Sequence, residues 1–476
     1  MSTPSPAVAP SPRALNVMLW LAATGFFMQA LDSTIVNTAL PAMATSLGEL
    51  PLRMQSVVIA YSLTMAVMIP VSGWLADKLG TRRVFFSAIL VFTLGSLLCA
   101  NAHTLTQLVI WRIVQGVGGA MLLPVGRLAI LRTFPAERYL PALSFIAIPG
   151  LVGPLIGPTL GGWLVEFASW HWIFLINLPV GILGCLMAWR FMIDARDADV
   201  GSFDLTGCLL LTFSMVAVSI AVDGMSDLGF GHIAVILLLM FGFAALAAYW
   251  LRAARREDAL FPLRLFSINT FGVGILGNLF SRIGSGAMPF LVPLLLQVCI
   301  GYTPAQAGLM MIPVAAASML SKRLGPPLIN RFGYRPVLLV NTLLVGGTIA
   351  SFATIGAHQP VWLLMLHLSC FGLVNSLQFT AMNTITLLDL EGGNASSGNS
   401  LLSMIMMLSM SLGVAIAGGL LAAFDDAGTR GAETLTAFHA TFLTVGLVTC
   451  ASAWIFWQLA PDAGRTGAKP AHIATD

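Results

Sequence analysis

The feature that most constrains this chain is a succession of long apolar runs, separated by short segments that hold almost all of its charge. A helix needs roughly 20 apolar residues to cross the hydrocarbon core of a bilayer. Runs of that kind fall at 15–40, 52–75, 84–101, 105–127, 139–165, 171–190, 205–222, 232–251, 269–298, 305–321, 336–356, 361–384, 398–423 and 436–459. Backbone polar groups have no water to bond inside a bilayer, so such runs must fold as helices that satisfy their own N–H and C=O groups. The expected fold class is an all-α polytopic membrane protein with fourteen spans. The first run is too long for a signal peptide and lacks a clear cleavage site, so it is expected to stay as a span.

Composition closes off other classes. Hydrophobic residues make up 57% and charged residues 9%, against about 25% charged in soluble domains. A net charge of +3 with no basic run gives no phosphate footprint, so no nucleic-acid partner is expected. Cys99, Cys185, Cys208, Cys299, Cys370 and Cys450 lie in or beside apolar runs with no CxxC pair, and read as small core hydrophobes. No GxxxxGK[ST] loop is present, so ATP is not the direct energy source. With no catalytic or metal-ligating constellation, neither an enzyme, a metal nor a cofactor is expected. The partners are then the lipid bilayer, a small-molecule substrate and protons, and the chain is expected to act as a monomer.

Charge placement tests the count. With the N-terminus in the cytoplasm, all of the 23 Lys and Arg residues lie on cytoplasmic segments except Arg53 and Arg430 outside and Arg112 and Arg282 within spans. Basic residues gather on cytoplasmic loops, so both termini are expected there. Trp163, Trp170 and Trp172 mark an outer interface.

The chain also repeats itself. Gly73-Trp-Leu-Ala-Asp77-Lys78-Leu-Gly80-Thr-Arg82-Arg83 follows span two, and Asn330-Arg331-Phe-Gly333-Tyr-Arg335 follows span ten. Asp77 aligns with Asn330, Lys78 with Arg331, Gly80 with Gly333 and Arg82 with Arg335. The offset makes the first and last six spans parallel halves, an architecture many secondary transporters share. The expected organisation is a disordered N-terminus (1–14), a six-helix bundle (15–190), a two-helix insertion with linkers (191–268), a second six-helix bundle (269–459) and a tail (460–476).

At these residues the chain resembles the fourteen-span drug:proton antiporter branch of the major facilitator superfamily. The likeness runs from about Leu15 to Leu459. Its motifs are Leu31-Asp32-Ser-Thr34-Ile-Val-Asn37-Thr-Ala-Leu-Pro41, the Gly73–Arg83 loop, Arg112-Ile-Val-Gln115-Gly116-Val-Gly118-Gly119, and Gly153-x3-Gly157-Pro158-x2-Gly161-Gly162. In the last, Ser144 stands where the family has a leading glycine. The resemblance implies efflux driven by protons across a bacterial inner membrane. It also implies a proton-coupling role for Arg112 and, for the span-five glycines, a contact between halves that seals one path.

Charge at membrane depth is expensive and functional by default. Asp32 lies about 12 Å below the outer end of span one and Arg112 about 10 Å into span four, at 1.5 Å per residue, so the two could face each other. Burial and a neighbouring guanidinium act in opposite senses on a carboxylic acid. Such a group can load and release a proton as water access changes; the alternative is a static ion pair. Arg282 sits near the middle of span nine, the counterpart of span one. It suits carboxylate or phosphate groups on a substrate, or else an internal network with Asn278, Ser281 or Ser285. His367 reads as a core histidine or a second proton site. Asp32 and Arg282, on symmetry-related helices, are both expected to line the substrate cavity, together with His367, Gln115, Asn375 and Gln378; Gln297, Asn383 and Asn177 are further candidates, although Gln115 and each of these amides could equally tie helices together. Met404, Met406, Met407 and Met410 give span thirteen a soft face. The gating candidates are Gly73, Asp77, Lys78, Gly80, Arg82 and Arg83, with Asp77 pairing to loop arginines.

The expected function is proton-coupled export of small amphipathic molecules by alternating access. Two alternatives stand beside it: export of a small organic anion, such as a tricarboxylate or its metal chelate, and a non-transporting membrane sensor.

Overall fold

A computed structural model describes residues 12–134, 138–196, 202–224, 232–256, 258–356, 358–390, 393–425, 432–461 and 463. Most of the N-terminal tract and of the tail, with Arg430, Arg465 and Lys469, lies outside the described residues. Fourteen helices among the described residues are long and apolar enough to cross a membrane. They are α1 (Leu15–Thr38), α2 (Pro51–Leu79), α3 (Thr81–Ala100), α4 (Leu105–Thr133), α5 (Pro141–Phe167), α6 (Trp172–Phe191), α7 (Leu205–Gly224), α8 (Ile233–Ala253), α9 (Asn269–Val298), α10 (Pro304–Phe332), α11 (Tyr334–Thr354), α12 (Val361–Leu388), α13 (Ala395–Asp425) and α14 (Thr434–Phe456). All six cysteines are free thiols.

The helices follow the apolar runs but overrun several of them at the arginine-bearing end. α4 continues to Thr133 and α10 to Phe332, so Arg132, Lys322 and Arg323, which lie beyond the apolar runs, are helical. A long basic side chain can lie along its helix and place its charge at the headgroups, so the helix need not stop where the apolar run does. α1 behaves differently. Its regular helix ends at Ile35 and passes through a 3-10 turn, Val36–Thr38, before a short helix, Leu40–Leu47, that has Pro41 in its first turn.

The repeat is visible in the backbone. Gly80 and Gly333 have φ of 95° and 84° with ψ of 146° and 166°, a region open essentially to glycine alone. Each returns its N–H four residues back, to Ala76 O (3.0 Å) and Ile329 O (2.7 Å). Gly80→Ala and Gly333→Ala are each expected to cost about 1–3 kcal/mol of stability, read as a lower thermal unfolding midpoint of the detergent-purified protein. Gly73→Ala is the control, because a Cβ there meets nothing within 4 Å.

Packing repeats as well. α1 lies on α5, α2 on α4 and α3 on α6; correspondingly α9 lies on α13, α10 on α12 and α11 on α14. The two most extensive seams between the halves are α2 against α13 and α5 against α10. At the end away from the arginines one core spans both halves, with Ile35, Val36 and Val57 against Met288, Leu291, Val414 and Ala417. At the arginine-bearing end each half has a core of its own, around Phe85 and Ile130 in one and around Val337 and Ile385 in the other.

α7 and α8 pack as a pair. Asp204 begins α7 by accepting the Gly207 N–H (3.0 Å), and the same oxygen takes Arg252 Nη2 (3.0 Å) from the end of α8. Burial pushes this carboxyl up, but the Gly207 N–H and Arg252 outweigh it and hold it below its ordinary value. The contribution is therefore complete above the ordinary carboxylate range and is lost as pH falls through the lowered value. Asp204→Ala should cost about 1–2 kcal/mol near neutral pH, as for loss of a helix cap, and the difference from wild type should shrink in acid when unfolding midpoints are compared across pH.

Candidate functional site

Asp32 is fully buried, and Arg112 is 1% exposed. Arg112 Nη1 donates to Asp32 Oδ2 at 2.6 Å, joining α1 to α4. Asp32 Oδ1 accepts from Gln115 Nε2 (2.8 Å) and Asn177 Nδ2 (3.3 Å). Gln115 Oε1 takes a bond from Arg112 Nη1 (2.7 Å), and Ser96 Oγ accepts from both Gln115 and Asn177 while donating to Phe174 O (2.9 Å). The guanidinium lies 4.0 Å over the Tyr61 ring. Five helices, α1, α2, α3, α4 and α6, thus converge on one carboxylate. A buried charge survives only when paired and hydrogen-bonded, and this one has both.

The helix that carries Asp32 is gripped from its other side by α5. A Cβ on Gly153 would stand 2.8 Å from Leu31 N, one on Gly157 would strike Thr34 Oγ1, and one on Gly161 would stand 2.5 Å from Ile35 O. These glycines recur every fourth residue, so their face admits the α1 backbone. Gly162 is turned toward α10 instead: its Cβ would strike Pro304 O, and a Cβ on Gly308 would strike Pro158 O. Thr159 Oγ1 donates to Gly308 O (3.1 Å), and the Ala305 N–H donates to Glu166 Oε2 (3.0 Å). The glycine motif expected to join the halves therefore divides. Gly153, Gly157 and Gly161 serve α1 in their own half, and the seal between halves runs through Pro158 and Gly162.

The sequence pattern of the Major Facilitator Superfamily matches residues 22–276 and 274–474. The chain belongs to the major facilitator superfamily. It is 50% identical over 454 residues to the "Putative multidrug resistance protein MdtD" of Pectobacterium atrosepticum, covering 95% of this chain and 97% of that one. It is 48% identical over 468 residues to the protein of the same name from Yersinia enterocolitica, covering 96% and 99%. Among solved structures, the fold is similar to a D-xylose–proton symporter (TM-score 0.67, 14% identity, 94% of this chain and 98% of that one). It is also similar to a bacterial homologue of the human lysosomal transporter Spinster in an inward-facing, unoccupied conformation (TM-score 0.65, 15% identity, 94% and 97%). Membership of this superfamily makes the protein a membrane transporter and not an enzyme.

Within the superfamily fold, the loop between α2 and α3 is ordered by the chain that follows α6. Thr81 N donates to Ala195 O (3.1 Å), Arg82 N to Asp194 Oδ1 (3.3 Å), and the Arg82 guanidinium to Trp189 O. Asp77 pairs with Arg132 at 2.5 Å, an arginine in the last turn of α4 rather than in a loop. The pair ties α2 to α4 inside the first half. Lys78 lies 4.6 Å over Trp74, and Arg83 is exposed.

The second half is built differently. Arg282 Nε donates to Asn278 Oδ1 (3.0 Å) and Nη2 to Asn383 Oδ1 (3.3 Å), with the guanidinium 4.3 Å over Phe379. Among the described ion pairs Arg282 has no carboxylate, and Asp32 pairs with Arg112. Several cavity candidates sit elsewhere. Asp32 and Gln115 are sealed inside the first half. Gln378 is buried, accepting from Asn341 (2.8 Å) and donating to Thr342 (2.7 Å), so it fastens α12 to α11. In each case a polar group with protein partners on several sides has no reason to face water. His367 bonds Leu363 O through Nδ1 (2.8 Å) beside Phe352, as a core histidine would. Asn375 is half-buried, one helical turn before Phe379 on α12. Ser96 and Tyr61 have no distinguishing mark in the sequence. A groove of about 440 Å³ between α3 and α6, lined by Phe86, Leu90, Ile182 and Trp189, is apolar and lies outside the network.

Proposed function

We propose that the protein is a proton-coupled antiporter of the bacterial inner membrane that exports small amphipathic molecules, with Asp32 as the proton carrier. The observation that carries the reading is a buried carboxylate held by Arg112, Gln115 and Asn177 on the helix that α5 grips. The name borne by relatives about half identical over nearly the whole chain supports the efflux of drugs. In the cycle, an external proton neutralises Asp32, Arg112 loses its counter-charge, and the α1–α4 contact loosens. The halves then rock against each other, and release of the proton to the cytoplasm restores the pair. Arg112 couples, and Gln115 and Asn177 orient the carboxylate. A second reading, export of an organic anion such as a tricarboxylate or its metal chelate, is favoured by the Arg282 guanidinium, which Asn278 and Asn383 solvate without neutralising.

The test is purified protein in proteoliposomes with an imposed pH gradient and an internal pH dye, screened with amphipathic dyes and with a tricarboxylate, free and metal-bound. Substrate-evoked proton movement that reverses with the gradient is the expected result. A pH signal indifferent to every compound while the protein remains folded would favour the sensor.

A further inference from the structure

We infer that the α7–α8 pair closes one of two equivalent side doors, so that membrane-dissolved substrate enters between α5 and α10. The inference rests on the transport reading above and names its route and substrate class, an amphiphile with an anionic head.

The repeat generates the two doors. Because α1/α5 and α9/α13 correspond, the α2/α13 seam and the α10/α5 seam are counterparts. The structure treats them unequally. α7 packs on both α2 and α13. Its Leu211 and Met215 share a core with Ala66 of α2 and with Leu401, Leu402 and Met404 of α13. At the far end Gln55 Nε2 of α2 donates to Asp223 Oδ1 of α7 at 2.8 Å, and a Cβ on Gly418 of α13 would strike that same Gln55 side chain. Three helices are thus interlocked from the middle of this seam to its outer end.

The α5/α10 seam has no such cover among the described residues. Its close contacts gather at the outer end, at Gly162 with Pro304 and Gly308 with Pro158. Below them α10 turns Ser318 toward α12, donating to Gly372 O (3.0 Å). Leu320, Leu324 and Leu328, spaced four apart on one face, are left exposed. On α5, Ile148 and Ile156 are exposed as well. Exposed apolar side chains on both helices, away from the contacts at the outer end, suit the acyl or aromatic body of a molecule dissolved in the membrane. α10 packs on α12, and α12 carries the exposed Phe379 ring beneath Arg282, a cation that no described carboxylate neutralises. An anionic head has a destination there.

The experiment uses the full-length protein in proteoliposomes and a diazirine-bearing long-chain carboxylate as probe. Sites are mapped by peptide mass spectrometry, and only label displaced by excess unlabelled carboxylate is counted. Displaceable label should be severalfold higher on α5 between 148 and 156 and on α10 between 320 and 328 than on α2 and α13. Releasing α7 with Gln55→Leu and Asp223→Leu should bring label to α2 and α13. Equal label at both seams in the wild type, or label at neither, overturns the inference. Gradient-driven movement of the same probe is measured separately. Transport with symmetrical label sinks the side door and leaves the transport reading standing. One-sided label without Asp32-dependent transport does the reverse.

Discussion

Asp32→Asn will abolish uphill, pH-driven accumulation while leaving exchange down a gradient. One charge crossing 100 mV is worth about 2.3 kcal/mol, which at about 1.4 kcal/mol per decade supports roughly a 40-fold gradient. That whole factor should collapse toward unity in the variant. A second effect accompanies it. Asparagine keeps the shape of Asp32 and can still accept from Gln115 or Asn177, but its amide leaves Arg112 buried without a counter-charge. Removing one member of a buried pair costs about 3–5 kcal/mol, so the single variant should also unfold at a lower temperature. The double variant Asp32→Asn with Arg112→Gln removes both charges and should recover much of that stability. It should not recover coupling. The two measurements, an unfolding midpoint and accumulation in proteoliposomes under an imposed gradient, separate a carrier from a mere ion pair. If the double variant pumps uphill, Asp32 is a structural residue and the proton travels elsewhere.

The Asp32–Arg112 contact could be anticipated because it depends on one-dimensional facts. Both residues are charged, both lie in apolar runs, and counting residues from the ends gives them similar depths. The fourteen spans were legible for the same reason, since length and hydropathy are additive along a chain. Ser96, Tyr61 and Asn177 were not legible as parts of one site. They come from three other helices, and which face each turns inward depends on how five helices pack. Asn177 carried a polar signal without a partner; Ser96, in an apolar run, carried none. Symmetry misled in one place. The repeat relates α1 to α9 as helices, which suggested that Asp32 and Arg282 share a cavity. Their side chains answer to different neighbours: Asp32 meets Arg112 of α4, and Arg282 meets Asn383 and Phe379 of α12. The glycine face of α5 was readable as a close-packing surface, but its partner was not. Spacing shows that a helix can approach without showing which one, and α1 of the same half takes that place.

Gly162→Ala and Gly308→Ala should each drive the protein out of the arrangement seen here, and the pair together should do so most. The added methyl at Gly162 would collide with the Pro304 carbonyl and stand 3.1 Å from Ala305 Cα; at Gly308 it would collide with the Pro158 carbonyl and stand 3.0 Å from Thr159 Cα. All of these are backbone atoms, so no side chain can rotate aside. Each helix can escape only by separating from the other, which opens the outer end of the α5/α10 seam. A transporter must hold its two arrangements within a few kcal/mol, and each 1.4 kcal/mol of bias changes their ratio by about tenfold. The readout is a cysteine placed at Met288, which is buried in the core that spans both halves at the sealed end, in a protein whose native cysteines have been replaced. A membrane-impermeant maleimide added from outside should label it at least about tenfold faster in either variant, with slower substrate turnover because resealing is impeded. Gly347→Ala, where a Cβ meets nothing within 4 Å, should change neither. The unfolding midpoint distinguishes this outcome from damage, since strain relieved by opening leaves each half folded. Unchanged labelling with unchanged turnover would mean that the two glycines do not form the outer seal.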